Sequence, residues 1–299
     1  MAERRRDLEM LPVQYPEKFI GSRLFPKINV QERSGKIFYR AITVDKTPVK
    51  GRAKGASLTK TLLTDENLDY AVVSTEERYA APKEYYKQWG QEATDKAGGK
   101  ASKRSVIRSL ENDYAEVILG GTPNLDVGDK FFQSVIDAKK NLRRIRGRVA
   151  FVCSEVVFHR IMNYSEIQER LKYTGVIAES GMVIRGLKPS ILQEILDVDE
   201  ILIGDDEIWH DGNVLFADRA ALVKIPEMEV DFPDLIVDPH FAIKLQTIPG
   251  EENSEFEVEY YYDDDDKTHC YDATAYTDLK ILNSEGLYLF EGIDDALQA

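Results

Sequence analysis

One cluster of side chains in this sequence has residue types that could bind a metal ion. Asp205, Asp206 and Glu207 are consecutive, and His210 and Asp211 follow shortly after. Carboxylates and imidazoles are ligands of divalent cations. The cluster lies in a loop after a predicted strand and lacks a second histidine at ligand spacing. We therefore predict no metal, and we keep a cytoplasmic α/β metal-dependent enzyme as an alternative. The remaining histidines are scattered, at His159, His240 and His269.

Other catalytic motifs are missing from the sequence. It contains no phosphate-binding G-x-x-x-x-G-K-[ST], no dinucleotide-binding G-x-G-x-x-G, no G-x-S-x-G and no H-E-x-x-H. The acidic run 263–266 is predicted to be a solvated hairpin turn, because adjacent aspartates give calcium poor coordination geometry. We predict no catalytic residue and no cofactor.

A second charged feature is basic and has no catalytic pattern. Between residues 46 and 60 there are five basic side chains and no acidic one. Pro48, Gly51 and Gly55 interrupt regular structure there. The segment contains no aromatic residue for stacking on bases, so a contact with an acidic protein surface is the preferred interpretation. The basic residues are Lys46, Lys50, Arg52, Lys54 and Lys60.

The charge of the chain is divided between its two halves. The 299 residues carry a net charge of −14. Residues 1–150 hold 29 Lys and Arg against 20 Asp and Glu, and residues 151–299 hold 10 against 33. Opposite charges on two halves favour an assembly of copies of the chain with one another. The acidic half disfavours a DNA-binding protein.

Composition and targeting signals indicate synthesis in the cytoplasm. No apolar run is long enough to span a membrane, and the charged N-terminus has no apolar segment of a secretory signal behind it. Cys153 and Cys270 are far apart in sequence and suggest no disulfide framework.

The first half predicts an extended arm, a ribbon and long helices. Residues 1–30 contain three prolines and are predicted to be an arm that contacts something else. Residues 35–44 and 57–74 are predicted to form a two-stranded ribbon, which is marginally stable alone and needs a covering surface. Residues 76–89 are predicted to be partly helical and 90–103 a polar linker. Apolar residues at helical spacing predict helices over 102–119 and 129–145.

The second half predicts a compact α/β unit followed by strands. Residues 149–153, 200–204 and 214–223 are predicted strands, and Ser154 is predicted to cap a helix that runs to Met162. A capping box at 165–168 and the Pro189-Ser190 pair predict two further helices. Alternating apolar residues predict strands at 241–245, 256–262, 268–277, 279–282 and 287–290, forming one set with a common apolar face.

The order of these parts resembles the major capsid proteins of tailed double-stranded DNA bacteriophages, which have the Hong Kong 97-type fold. Residues 19–30 with 35–39 resemble the lead-in from the arm to an extended loop, 52–56 its tip and 68–73 its return strand. Residues 149–158 with 167–172, 198–204 and 221–226 resemble parts of the axial domain.

The resemblance implies an α+β fold made of five parts. These are an N-terminal arm (1–30), an extended β-ribbon loop (31–78), a peripheral domain with a spine helix (79–145), an axial domain (146–227) and peripheral C-terminal β elements (228–299). It implies that the loop, with Lys46, Lys50, Arg52, Lys54 and Lys60, lies over a neighbouring subunit.

The resemblance also implies a function and partners. The expected function is a virion structural protein that assembles through pentamers and hexamers into an icosahedral shell around phage double-stranded DNA, without sequence-specific binding. Expected partners are a separate scaffolding protein, a portal and decoration proteins. The chain would be made in the host bacterial cytoplasm. Alternatives are an encapsulin-type nanocompartment, a tail or neck protein, and the enzyme with Asp205, Asp206 and His210.

Overall fold

A computed structural model describes most of the chain. The described residues are 3–12, 19–41, 64–127, 130–145, 147–173, 189–209, 218–226, 235–237, 241–247 and 255–293. Within them no helix combines the length and the apolar character that a membrane span requires.

The helices of the described residues are α1 (Arg6–Glu9), α2 (Gly21–Leu24), α3 (Lys83–Trp89), α4 (Gln91–Leu119), α5 (Phe131–Leu142), α6 (Glu155–Asn163), α7 (Ser165–Tyr173), α8 (Pro189–Leu196) and α9 (Asp206–Trp209). The strands are β1 (Glu3–Arg4), β2 (Lys27–Asn29), β3 (Ser34–Ala41), β4 (Thr64–Ala71), β5 (Val73–Pro82), β6 (Leu125–Asp126), β7 (Arg148–Ser154), β8 (Glu200–Gly204), β9 (Ala220–Ile225), β10 (Leu235–Val237), β11 (Ala242–Gln246), β12 (Glu257–Asp263), β13 (Thr268–Ile281) and β14 (Leu287–Glu291).

Helix α4 is the longest helix of the described residues, and it begins at Gln91, well before the predicted start at residue 102. Its 29 residues make a rod of about 43 Å. The predicted linker over 90–103 was wrong, because the glycines there serve close packing. A Cβ on Gly98 would lie 2.3 Å from the ring of Tyr271, and one on Gly99 would lie 3.3 Å from Leu8.

The first sheet packs its inner face on α4. Its strand order is β1-β12-β13-β11-β2, and β5 pairs with the other side of β13. The predicted hairpin around 263–267 is confirmed, since β12 and β13 pair antiparallel from Asp263↔Thr268 onward. The predicted strands 268–277 and 279–282 form the single strand β13. Buried residues that face α4 include Ala81, Val258, Tyr271 and Ala273.

A second sheet, of order β6-β14-β9-β7-β8, forms the other layer. Strand β14 pairs with β9, so the expectation that residues 287–290 join the other C-terminal strands was wrong. Apolar residues on both faces of β7 let it lie inside the sheet, between β9 and β8, with helices packed against it.

The helices of this layer test three predicted starts. The predicted cap of α6 is confirmed, because Ser154 Oγ accepts a hydrogen bond from the Val157 N–H at 3.1 Å. The predicted start of α8 at Pro189 is also confirmed. Helix α7 begins at Ser165, where the carbonyl of Tyr164 accepts the N–H groups of Ile167 and Gln168. The helix therefore starts earlier than residue 167, where the sequence pattern placed it.

Glu111 on α4 joins the arm to the second sheet. Its carboxylate is almost fully buried and accepts hydrogen bonds from Ile20 N at 2.7 Å, Gly21 N at 3.0 Å and Trp209 Nε1 at 3.0 Å. Burial raises the pKa of Glu111, and these donors oppose that rise. One side chain thus fixes α2, α4 and α9 relative to one another.

Lys103 holds the first part of the arm. Its buried Nζ donates to the carbonyl oxygens of Leu8 at 2.6 Å, Glu9 at 2.6 Å and Leu11 at 3.1 Å. Leu8 is itself buried against α4. The predicted attachment of the arm is confirmed for these residues, and the attachment lies within the same chain.

Replacing Glu111 should destabilise the whole structure. Glu111→Leu leaves three buried N–H donors unsatisfied, so we expect the free energy of unfolding to fall by about 3 kcal/mol or more. Urea unfolding measures this change. The control is Glu116→Leu on the exposed side of the same helix. Equal losses in the two variants would contradict the role of Glu111.

Lys103→Met should loosen the arm in a pH-dependent way. Burial lowers the pKa of Lys103 from 10.5 to about 8. The unfolded chain therefore holds this proton more tightly. The proton-linked part of the stability that Lys103 contributes is present above pH 10.5 and is lost as pH falls through about 8, and the hydrogen bonds of Lys103 contribute in addition.

The wild type should accordingly exceed Lys103→Met in stability by more at about pH 10 than at about pH 7. At the lower pH the loss of three donors should still cost about 2 kcal/mol. Urea unfolding at both pH values tests this, with the exposed Lys100→Met as the control. A difference that shrinks at the higher pH would refute it.

Candidate subunit interface

The predicted ribbon is present as β3 and β4, but it is not two-stranded, because β10 pairs parallel with β3. The strands pair antiparallel from Ser34↔Ala71 to Ala41↔Thr64. Seven residue steps make the ribbon about 24 Å long. Ala41 and Thr64, which flank residues 42–63 in the sequence, are therefore paired at the end of the ribbon opposite Ser34. The predicted interface residues Lys46, Lys50, Arg52, Lys54 and Lys60 lie outside the described residues and stay predictions.

The base of the ribbon is anchored by its apolar side chains. Ile37 is 3% exposed, whereas the preceding Lys36 points into solvent, as strand alternation requires. The Ala71 N–H also donates to the Asp278 carboxylate of β13 at 2.9 Å. These contacts fix the direction of the ribbon relative to the first sheet. The residues that pack with Ile37 are Ile28, Ile243, Leu245 and Leu282.

The outer face of the first sheet is acidic. Side chains alternate along each strand, so residues next to those that face α4 point to the opposite side. There the register places Glu76 beside Thr274 and Glu259 beside Asp272. Arg78, which pairs with Asp272 at 2.8 Å, and Arg4, which pairs with Glu257 at 3.3 Å, compensate part of this charge. We call Glu76, Glu257, Glu259 and Asp272 the acidic sheet face.

The carboxylates of the enzyme alternative have structural partners. Asp205 Oδ1 accepts the Glu207 N–H at 3.0 Å, and Asp206 Oδ1 accepts the Val156 N–H at 3.1 Å. Both act at helix N-termini, where carboxylates are stabilising. His210 lies outside the described residues. No group of His, Cys, Asp and Glu with metal-binding geometry occurs in the described part of the chain.

A buried polar network around Asp95 was missed by sequence reasoning. Asp95 accepts hydrogen bonds from the hydroxyl groups of Tyr271, at 2.6 Å, and Tyr86, and from Arg5 Nη1 at 3.1 Å. Tyr86 stacks on His269, whose pKa burial lowers. The network joins the arm, α3, α4 and β13. Asp95 lies in the segment 90–103, which was predicted to be a linker, so the sequence pattern did not indicate its role.

Sequence comparison and structure comparison give different results for this chain. No protein-family model matches it, and no curated protein is similar at a significant level. A phage-related protein from Bordetella bronchiseptica RB50 has a similar structure, with a TM-score of 0.66 at 19% sequence identity. The similarity covers 94% of this chain and 93% of that protein.

Two assembled particles contain similar chains. The mature capsid of bacteriophage PhiM1 gives a TM-score of 0.53 at 12% identity, over 94% of this chain and 88% of its own. The SrpI encapsulin from Synechococcus elongatus PCC 7942 gives 0.51 at 10% identity, over 97% and 95%. The chain therefore has the α+β Hong Kong 97-type fold expected from its sequence.

Removing the apolar anchor should loosen the ribbon. We expect Ile37→Ser to weaken its docking by about 2 kcal/mol, because a buried apolar contact is lost. Hydrogen–deuterium exchange of the β3 and β4 amides should then be faster, while exchange in β7 stays unchanged. Lys36→Ser on the exposed side is the control. Unchanged exchange in Ile37→Ser would show that Ile37 does not anchor the ribbon.

Proposed function

We propose that this chain is the major capsid protein of a tailed bacteriophage. It assembles through pentamers and hexamers into an icosahedral shell that encloses double-stranded DNA. The observation that carries the proposal is the likeness to the chain of the bacteriophage PhiM1 mature capsid over 94% of this chain. A structural role also accounts for the carboxylates of Asp205 and Asp206, which are engaged by backbone N–H groups.

The contact between subunits is proposed to be electrostatic. The basic segment with Lys50, Arg52 and Lys54 lies between β3 and β4 in the sequence, and the strand ends that flank it, Ala41 and Thr64, are opposite the Ser34 end of the ribbon. A neighbouring copy offers acidic surface, of which the acidic sheet face is one part. A contact between two different patches of the same chain is heterologous and closes into rings. Complementary charges would set the register of neighbours more than their affinity.

The remaining parts of the proposal follow from the shell. The domain bounds predicted from the sequence stay part of the proposal, with residues 146–227 around the axes of the capsomers, except that β14 joins β9 of that part. A separate scaffolding protein, a portal and decoration proteins are the expected partners. The protein would be made in the host bacterial cytoplasm and would reside in the virion capsid.

An encapsulin-type compartment is the second candidate, because the SrpI encapsulin shares the fold over nearly the full length of both chains. The two candidates differ in their contents. Nuclease-protected double-stranded DNA in purified particles supports a phage capsid, whereas particles with protein contents alone support a compartment.

Reversing the charge of the basic segment tests the proposal. Lys50→Glu, Arg52→Glu and Lys54→Glu together should abolish assembly while the subunit stays folded, because like charges would then face each other. The control exchanges the same residues as Lys50→Arg, Arg52→Lys and Lys54→Arg, which keeps the charge. Size exclusion and electron microscopy report assembly, and circular dichroism reports folding.

Two results would count against this contact. Unchanged particles from the charge-reversed variant would contradict the docking role of the segment. Assembly that is equally efficient at 0.1 M and 1 M salt would mean that apolar contacts dominate, because screening shortens the range of exposed charges from about 10 Å to about 3 Å.

A further inference from the structure

The exposed side of α4 carries a row of cations. Lys96, Lys100, Arg104 and Arg108 are spaced four residues apart, and all four are exposed. Neighbours at this spacing lie on one face of a helix, but each step turns by about 40°, so the row slants across the exposed side. The row spans about 18 Å along the helix axis. It lies in the half of the chain that holds an excess of basic residues, 29 against 20.

The row has little compensation from nearby carboxylates. Lys96 pairs with Glu92 at 2.5 Å and Arg108 with Glu207 at 2.6 Å, and both carboxylates are highly exposed. Exposed pairs of this kind are weak. Among the described residues no carboxylate forms an ion pair with Lys100 or Arg104. The centre of the row is therefore open to an external anion.

The row and the acidic sheet face lie on opposite sides of one layer. The inner face of the first sheet packs on α4 through Tyr271 and Ala273. The cations point away from that contact, and the acidic sheet face points away on the other side of the sheet. The layer thus presents a basic surface on one side and an acidic surface on the other.

The surface between the cations favours a rigid polyanion over an acidic protein segment. The helix exposes Ala97 and Ser105 beside Lys100 and Arg104. These small side chains leave a surface without the large apolar anchors that dominate protein interfaces. A stiff partner with a regular array of charges can contact the central pair, Lys100 and Arg104, without having to be ordered first.

We propose that this row binds the phosphate backbone of duplex DNA. Duplex DNA carries one charge per about 1.7 Å of its axis, so 18 Å presents about ten phosphates to four cations. Contacts of Lys and Arg with phosphates position a duplex without reading its sequence. The inference rests on the proposed capsid function and deepens it, because it places the α4 side of the layer toward the packaged DNA.

Binding of a short random-sequence duplex to the unassembled fraction of the full chain tests this. Fluorescence anisotropy over a range of salt concentrations gives the affinity and its salt dependence. Lys100→Glu with Arg104→Glu should weaken binding, and the slope of log affinity against log salt should fall by about 2 in magnitude. The control is Arg143→Glu with Arg144→Glu, two exposed cations after α5, which should change binding less.

Three outcomes of the duplex titration would overturn the proposal. They are a wild type that binds no duplex at low salt, a double variant that binds as the wild type does, and an equal loss in the control. Binding of polyglutamate, and not of duplex, that depends on Lys100 and Arg104 would also overturn it, in favour of an acidic protein.

Electron microscopy of the same preparations separates this inference from the capsid function. Shells formed by a wild type without duplex binding would overturn the DNA contact and leave the capsid function standing. Duplex binding that requires Lys100 and Arg104, in a protein that forms no shells, would support the contact and count against the capsid.

Discussion

The structure depends on a single buried carboxylate, that of Glu111. Taking a charge out of water is costly unless hydrogen bonds replace those of the solvent. The donors come from two separate segments of chain, Ile20 with Gly21 in the arm and Trp209 after β8. The approach is so close that a Cβ on Gly21 would lie 1.9 Å from the ring of Tyr114. The ribbon follows the arm through β2, so the direction of the ribbon depends on this contact.

Local patterns predicted the elements whose signals are local. The capped start of α6 at Ser154, strands β7 and β8, and the hairpin at 263–267 follow from capping residues, buried apolar runs and alternation. The first turns of α4 could not be predicted, because Gly98 is selected by its contact with Tyr271, which is remote in sequence. The sheet that β14 joins is likewise a long-range property. The network around Asp95 combines four segments, and no spacing in the sequence indicates it.

The division of charge along the chain takes a different form in three dimensions. The acidic sheet face combines residues from both halves, with Glu76 next to Thr274 in the register. The basic row on α4 lies on the other side of the same layer. A shell has one surface toward its contents and one toward the outside. A layer with two oppositely charged faces fits a subunit of such a shell better than it fits a protein that is exposed equally on all sides.

Negative-stain electron microscopy of the purified protein, after size exclusion, tests the central claim most directly. We predict closed polyhedral shells, or discrete pentamers and hexamers. Open tubes, or rings of neither five nor six subunits, would contradict this claim and indicate a tail or neck protein. A chain that stays monomeric at high concentration would also contradict self-assembly of the purified protein. The enzyme alternative with Asp206 and His210 would then be as well supported as the capsid function.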